Sequence, residues 1–158
     1  MASDQRRSEK LPLSKAAEFL LDECRMVLPG IQALFGFQLI VVFNPGFDMK
    51  LGPRQQEIHL LAIALVAVAV VLIMAPAAYN RQTGPTEVTE DFIRISTRLL
   101  LLSMLPLSLA ICLDFYLIAG LIIHVWAGAI TLALFTLFAI LWIVLPRGRT
   151  LQRLVRGR

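Results

Sequence analysis

The sequence predicts an all-α, polytopic membrane protein: an up-down bundle of four transmembrane helices with both termini in the cytoplasm. Hydrophobic residues make up 58% of the 158-residue chain, against roughly 45–50% in soluble domains. They fall in long runs, and the last run, residues 99–145, contains only two ionisable side chains, Asp114 and His124. A bilayer core needs about 20 apolar residues per helix, so this run predicts two helices. No alternating strand pattern is visible, and only helices satisfy the backbone in lipid here.

The first element is a polar cytoplasmic segment, residues 1–25, with an amphipathic juxtamembrane helix that begins near Ser14. It is polar for too long to be read as a cleavable signal peptide. Helix one is expected over residues 26–43, where Asn44, Pro45 and Gly46 end it. The amphipathic segment is either a separate surface helix or the start of helix one. If the helix is continuous, a kink is expected at Pro29.

The next three spans complete the expected membrane domain, residues 26–145. Helix two is expected over residues 57–79, just after Pro53. Helix three begins in water near Glu90 and spans residues 97–114, and helix four spans residues 121–145. Asp114 and His124 mark the turn between them. Residues 146–158 form a basic cytoplasmic tail.

Orientation follows from the positions of Lys and Arg. Thirteen of the fifteen lie before helix one, between helices two and three, or after helix four, whereas the other side holds only Lys50 and Arg54. The positive-inside rule then places both termini in the cytoplasm, with the protein in the cell membrane. The basic termini are expected to contact the anionic inner leaflet. Because the charges lie at helix ends, a nucleic-acid partner is not expected.

Helix packing is expected where small residues recur, since they let backbones approach in lipid. These are Gly30, Ala33 and Gly36 on helix one, Ala62, Ala69 and Pro76 on helix two, and Gly128 and Ala129 on helix four. A weak repeat, E-x3-D-x2-R, precedes helices one and three and predicts the ion pairs Asp22–Arg25 and Asp91–Arg94. The repeat is compatible with two related hairpins or with chance.

Polar side chains inside the spans are few. Gln32 and Gln38 each need a partner in lipid, which predicts either interhelical hydrogen bonds or a narrow polar path. The expected spans contain no Asp, Glu, Lys or Arg between the interfaces. Since coupled antiporters normally place a carboxylate within the membrane, this absence argues against classical antiport.

The outer ends of the helices carry His59, Asp114 and His124, which are either titratable groups or interfacial helix caps. Metal-ligand spacings, cofactor motifs, phosphate-binding loops and nucleophile motifs do not occur in the sequence. We therefore expect no metal, no cofactor and no enzymatic activity.

Two stretches resemble a bacterial membrane-protein family of unknown function. In the first, LLDECRMVLPGIQALFGF, the matching positions include Glu23, Arg25, Pro29, Gly30 and Gln32. The second, APAAYNR, contributes Tyr79 and Arg81, with asparagine where the family has histidine. The resemblance implies a small four-helix protein, and some members bear an automatic sodium:proton antiporter label. It also implies one unit at the cytoplasmic end of helices one and two, with Glu23 paired to Arg25 or Arg81.

Two functions stay open. The chain is either an oligomeric ion or small-solute transporter, or a non-transporting accessory, assembly or structural subunit. The first predicts a polar seam that contains Gln32, Gln38 and the Glu23–Arg25 cluster, with a path between protomers or hairpins. The second predicts dry helix packing. The partners expected are the lipid bilayer, further copies of the chain, or a larger membrane complex.

Overall fold

The computed structural model describes residues 12–83 and 88–144. Helix α1 spans Leu13–Val42, a short helix α2 spans Phe47–Lys50, α3 spans Pro53–Thr83, α4 spans Glu90–Ile122 and α5 spans Ala127–Ala139. A π-helical turn, Ile140–Val144, continues α5. The described residues form no strand, so the all-helical prediction is confirmed for them.

The helices are longer than the predicted spans. The amphipathic segment is the start of α1, which runs unbroken from Leu13 and contains Pro29. Helix α3 contains Pro76 and α4 contains Pro106, so each of the three long helices holds one internal proline. Thr89 caps α4, where its hydroxyl oxygen accepts a hydrogen bond from the Phe92 amide at 3.2 Å.

The expected turn at Asp114 is wrong. Helix α4 continues for eight residues beyond Asp114, and the turn lies at residues 123–126. Apolar residues 115–123 contain no proline that would break the helix. The carboxylate that suggested a helix end is instead bound inside the bundle, as described below.

Three helices, α1, α3 and α4, are long and apolar enough to cross a membrane. Large apolar side chains along their apolar parts are exposed, for example Phe37, Val71 and Leu101, which suits contact with lipid rather than water. The apolar part of the last helix, Ala127–Trp142, is shorter. A fourth span and cytoplasmic termini stay predictions.

The tightest packing lies between α3 and α4, which share the most extensive contact in the structure. On α3, Ala62, Val66 and Ala69 have no exposed surface, and Pro76 is also fully buried. Ser103 and Ala110 of α4 are buried on the facing side. The predicted packing role of Ala62, Ala69 and Pro76 is confirmed. We call this contact the α3–α4 seam.

The small residues of α1 do not pack within the chain. A side chain built at Gly30 or Gly36 would meet nothing within 4 Å, and Ala33 is exposed. On α5, Gly128 and Ala129 are also exposed, and Ala127 is buried in their place. For these positions the expected packing contacts are therefore absent from the described part of the single chain.

Candidate polar site between three helices

Three polar side chains from three helices meet at one end of the bundle. Gln38 lies near the end of α1, His59 near the start of α3 and Asp114 on the last third of α4. We call them the polar triad. Because the ends of α1 and α4 meet the start of α3 here, both helices run antiparallel to α3, as the short connections predict.

The triad is tied together by direct contacts. The Gln38 side-chain amide Nε2 donates to Asp114 Oδ2 at 2.6 Å. The Nδ1 atom of His59 lies 3.3 Å from Asp114 Oδ1, and His59 Nε2 lies 3.0 Å from the backbone carbonyl oxygen of Gln38. Each residue therefore contacts both others, and the three contacts hold α1, α3 and α4 in one register.

Two members of the triad are buried, and Asp114 is partly buried. Gln38 is 3% exposed and His59 5%, and the Asp114 side chain is 18% exposed. Gln38, His59 and Asp114 lie four, six and eight residues from the nearest end of their helices. With a rise of 1.5 Å per residue, this places them roughly 6, 9 and 12 Å inside the helix ends.

The contacts determine where protons sit on the triad. A carbonyl oxygen only accepts hydrogen bonds, so the His59 Nε2 that faces it carries a hydrogen. If His59 were neutral, its Nδ1 lone pair would then face the Asp114 carboxylate. One further proton, on Nδ1 or on the carboxyl group, converts this repulsion into attraction. The His59–Asp114 contact is therefore favourable with a hydrogen between Nδ1 and the carboxylate and unfavourable without one.

Two buried acceptor atoms of the triad, Gln38 Oε1 and Asp114 Oδ1, receive no hydrogen bond from the described residues. Buried acceptors without a donor are costly, at about 1–3 kcal/mol each. The triad is therefore an incompletely satisfied polar site, in contrast to the serines of α4. Ser103 and Ser108 donate to backbone carbonyls of their own helix at 2.7 and 2.9 Å.

The loop between α1 and α3 covers the triad. The Phe47 ring of α2 packs against the His59 imidazole, with ring centroids 5.8 Å apart. Leu51 is buried, and its carbonyl oxygen accepts from Gln56 Nε2 at 2.9 Å. Gln56 also reaches Asp48 at 3.3 Å. Gln56 of α3 thus binds both the Leu51 carbonyl and the Asp48 carboxylate, which ties the loop to the start of α3.

Of the three ionisable residues predicted at the outer ends of the helices, only two lie together. His59 and Asp114 are in contact, but His124 lies exposed in the turn between α4 and α5. The third member is Gln38, which the sequence placed on a different candidate cluster. Among the described residues, no group of three or more His, Cys, Asp or Glu side chains could hold a metal ion.

The predicted cluster at the opposite end does not form as expected. Glu23 is exposed and makes no ion pair with the described residues, because Arg25 pairs with Asp22 at 3.3 Å. The expected pair of Glu23 with Arg25 or Arg81 is therefore wrong. The predicted Asp22–Arg25 and Asp91–Arg94 pairs are both present. Arg25 and Arg81 do line one cleft of about 210 Å³ between α1 and α3.

The remaining predicted residues lie on the surface of α1 or at the end of α3. Pro29, Gly30 and Gln32 are exposed on α1, so Gln32 and Gln38 do not share a seam. Tyr79 is 43% exposed, and its ring stacks on Phe92 with centroids 5.8 Å apart. This aromatic contact joins the far end of α3 to the start of α4.

Sequence reasoning identified the members of the triad but missed their association. The sequence feature that could have revealed it is the depth of the three residues in the membrane. Each lies a few residues inside an apolar run, and the three helix ends concerned lie on the same side of the membrane. That signal was obscured by placing Asp114 in a turn.

Comparisons with known proteins give the family but no activity. Residues 7–146 match the model of DUF6328, described as a family of unknown function. No curated protein and no solved structure matches the chain. The match confirms the resemblance to a family of unknown function and does not extend to sodium:proton exchange.

Proposed function

The chain belongs to DUF6328, a family of unknown function, and from its own structure we propose an oligomeric, proton-binding transporter of ions or small solutes. The proposal assigns no enzymatic reaction to the protein. Its site is the polar triad, and the observation that carries it is the burial of His59 and Asp114 inside apolar helices. Ionisable side chains in membrane helices are rare because they are costly, and they mark ion or proton pathways.

Proton exchange at the triad changes its internal charge balance. With the shared proton present, His59 and Asp114 attract each other and Gln38 completes the carboxylate's partners. Without this proton, the Nδ1 lone pair of His59 faces the Asp114 carboxylate. Their repulsion favours separation of α3 and α4 at the triad. A two-state contact of this kind is what a coupled transporter uses to link proton binding to helix movement.

The substrate path in this proposal lies between protomers. The α3–α4 seam is closed by Ala62, Val66 and Ala69, which have no exposed surface. Gln32 is exposed on α1, and Gly36, one turn later on the same face, has open space beside it. An amide on a lipid-facing helix is stabilised by a partner helix, and small residues let that helix approach. We therefore place a homo-oligomeric contact on this face of α1.

Orientation is part of the proposal. The excess of Lys and Arg beside the termini and between α3 and α4 supports cytoplasmic termini in the inner membrane. The triad would then lie on the outer side of the bilayer, and the Arg25–Arg81 cleft on the inner side. A site that collects protons near the outer surface suits uptake driven by the inward proton gradient.

The test is proton movement in liposomes that hold purified protein and an internal pH-sensitive dye. Gradients of sodium, potassium and choline are applied in turn, sodium first because of the label that some similar proteins bear. The native protein is expected to dissipate a pH gradient with at least one cation, whereas His59→Gln and Asp114→Asn proteins are not. His124→Gln, an exposed histidine exchanged in the same way, is expected to behave like the native protein.

Absence of proton flux in the native protein under all three cations would overturn proton-coupled transport of these cations by this chain alone. The second candidate, an accessory or structural membrane subunit, would then take its place. That alternative is favoured by one observation, the close packing of the α3–α4 seam, whose Ser103 hydroxyl is bonded to its own helix. In that role the triad is a clamp that fixes the register of three helices.

A further inference from the structure

A groove of about 450 Å³ lies between α4 and α5 with its π-helical continuation. This volume is within the ~300–1,000 Å³ range of ligand pockets. Its walls include Leu102 and Leu105 of α4 and Phe135 and Phe138 of α5. It is separate from the polar triad, which is formed by α1, α3 and α4. We call it the α4–α5 groove.

One cation lies at the end of the groove nearest the start of α4. Arg98 lines the groove and is exposed, and it forms no ion pair with the described residues. Arg94, one turn earlier, is paired with Asp91. The groove therefore combines an apolar wall with a single guanidinium whose charge no described carboxylate neutralises.

The position of Arg98 along α4 matches the boundary between water and lipid. The segment before it contains charged and polar residues, among them the Thr89 cap and Asp91, whereas residues 99–102 are all leucine. Trp142 lines the same end of the groove, and its ring packs on Phe138 with centroids 4.8 Å apart. Arginine and tryptophan at one depth are typical of the headgroup level of a bilayer.

We propose that the α4–α5 groove binds an anionic phospholipid, with an acyl chain along the leucine and phenylalanine wall and the headgroup phosphate on Arg98. The guanidinium matches a phosphate because it offers two parallel donors and keeps its charge. Basic pockets between membrane helices recognise lipid headgroups in this way. The inference does not depend on the proposed transport activity.

The groove offers its own spectroscopic probe. The chain has two tryptophans, Trp126 and Trp142, and Trp126 lies 63% exposed in the turn before α5. In a Trp126→Phe protein all tryptophan fluorescence comes from Trp142, within the groove. Bromine on an acyl chain quenches such fluorescence only at contact distance, so it reports which lipid occupies the groove.

The experiment uses the Trp126→Phe protein in phosphatidylcholine vesicles that contain a small, equal fraction of either brominated phosphatidylglycerol or brominated phosphatidylcholine. The anionic lipid is expected to occupy the groove about fivefold more than the zwitterionic one, as one arginine near an anionic headgroup allows. Arg98→Gln is expected to remove this preference, and Arg98→Lys to restore part of it. Arg94→Gln, the matched loss of a paired arginine, is expected to leave it unchanged.

Equal quenching by the two brominated lipids in the Trp126→Phe protein would overturn the proposal. So would a preference that survives Arg98→Gln, or one that Arg94→Gln removes equally, since either would assign it to general surface charge. Because Arg98 is exposed, its loss is not expected to unfold the protein, and the circular dichroism of each variant checks this.

Discussion

His59 and Asp114 are 55 positions apart in the sequence, yet the imidazole Nδ1 lies 3.3 Å from the carboxylate Oδ1 across the α3–α4 contact. Gln38 approaches the same carboxylate from α1. Side chains from α1 and α3 therefore contact one carboxylate of α4. The stability and the self-association of the protein are expected to depend on these contacts and on the packing around them.

Asp114→Leu is expected to lower the free energy of unfolding by about 1–3 kcal/mol, since an apolar side chain leaves the buried Gln38 amide without its acceptor and His59 without the carboxylate that faces it. Thermal unfolding in detergent, followed by circular dichroism, measures the change. Asp91→Asn, which removes the exposed partner of Arg94, is expected to cost no more than about 1 kcal/mol. Equal losses in the two variants would contradict a structural role for the triad.

Gln38→Leu is expected to destabilise the fold by a similar amount, about 1–3 kcal/mol, because Asp114 Oδ2 loses its donor in a buried site. The same measurement applies. The control is a leucine in place of the other glutamine of α1, Gln32, which is exposed. That change is expected to leave the unfolding of a single chain nearly unaltered, and a larger loss from it than from Gln38→Leu would be inconsistent with the observed burial.

Gln32→Leu is instead expected to weaken self-association. If a second copy covers this face of α1, the amide contributes about 0.6 kcal/mol per contact on average, so the loss of one contact raises the dissociation constant about threefold. Native mass spectrometry over a dilution series in mild detergent measures the populations. Gly36→Leu, which fills the open space beside Gln32, is expected to act in the same direction. An unchanged distribution in both variants would remove α1 from the interface.

Ala69→Leu is expected to destabilise the protein by about 1–3 kcal/mol or more, since Ala69 has no exposed surface and the α3–α4 seam has no room for a larger side chain. Ala64→Leu, on the exposed face of the same helix, serves as the control and is expected to be nearly neutral. Resistance to unfolding by a denaturing detergent compares them. Tolerance of leucine at both positions would show that the seam can open.

Much of the fold follows from the sequence, because apolar runs of this length have few structural solutions. The heptad spacing of Ala62, Ala69 and Pro76 predicted the buried face of α3 correctly. Periodicity is less informative on α1, where apolar residues surround the helix. The sequence therefore could not distinguish buried Gln38 from exposed Gln32.

The site was harder to predict because it depends on contacts between distant residues. A single aspartate at the end of an apolar run is more often a boundary than a buried group, and this preference led to the misplaced turn at Asp114. The exposed state of Glu23 has a similar origin. Cys24, the next residue of the helix, points into the bundle, so Glu23 points away from it. Asp22, three residues before Arg25, forms the ion pair with that arginine.

Each of the three long helices has an internal proline that affects its bending stiffness. Pro29, Pro76 and Pro106 each remove one backbone hydrogen bond from a long helix, so each helix has one point of reduced bending stiffness. All three members of the polar triad lie on the same side of these points, towards the α1–α3 loop. The end that holds the triad is therefore joined to the rest of the bundle through three helix segments that each lack one backbone hydrogen bond.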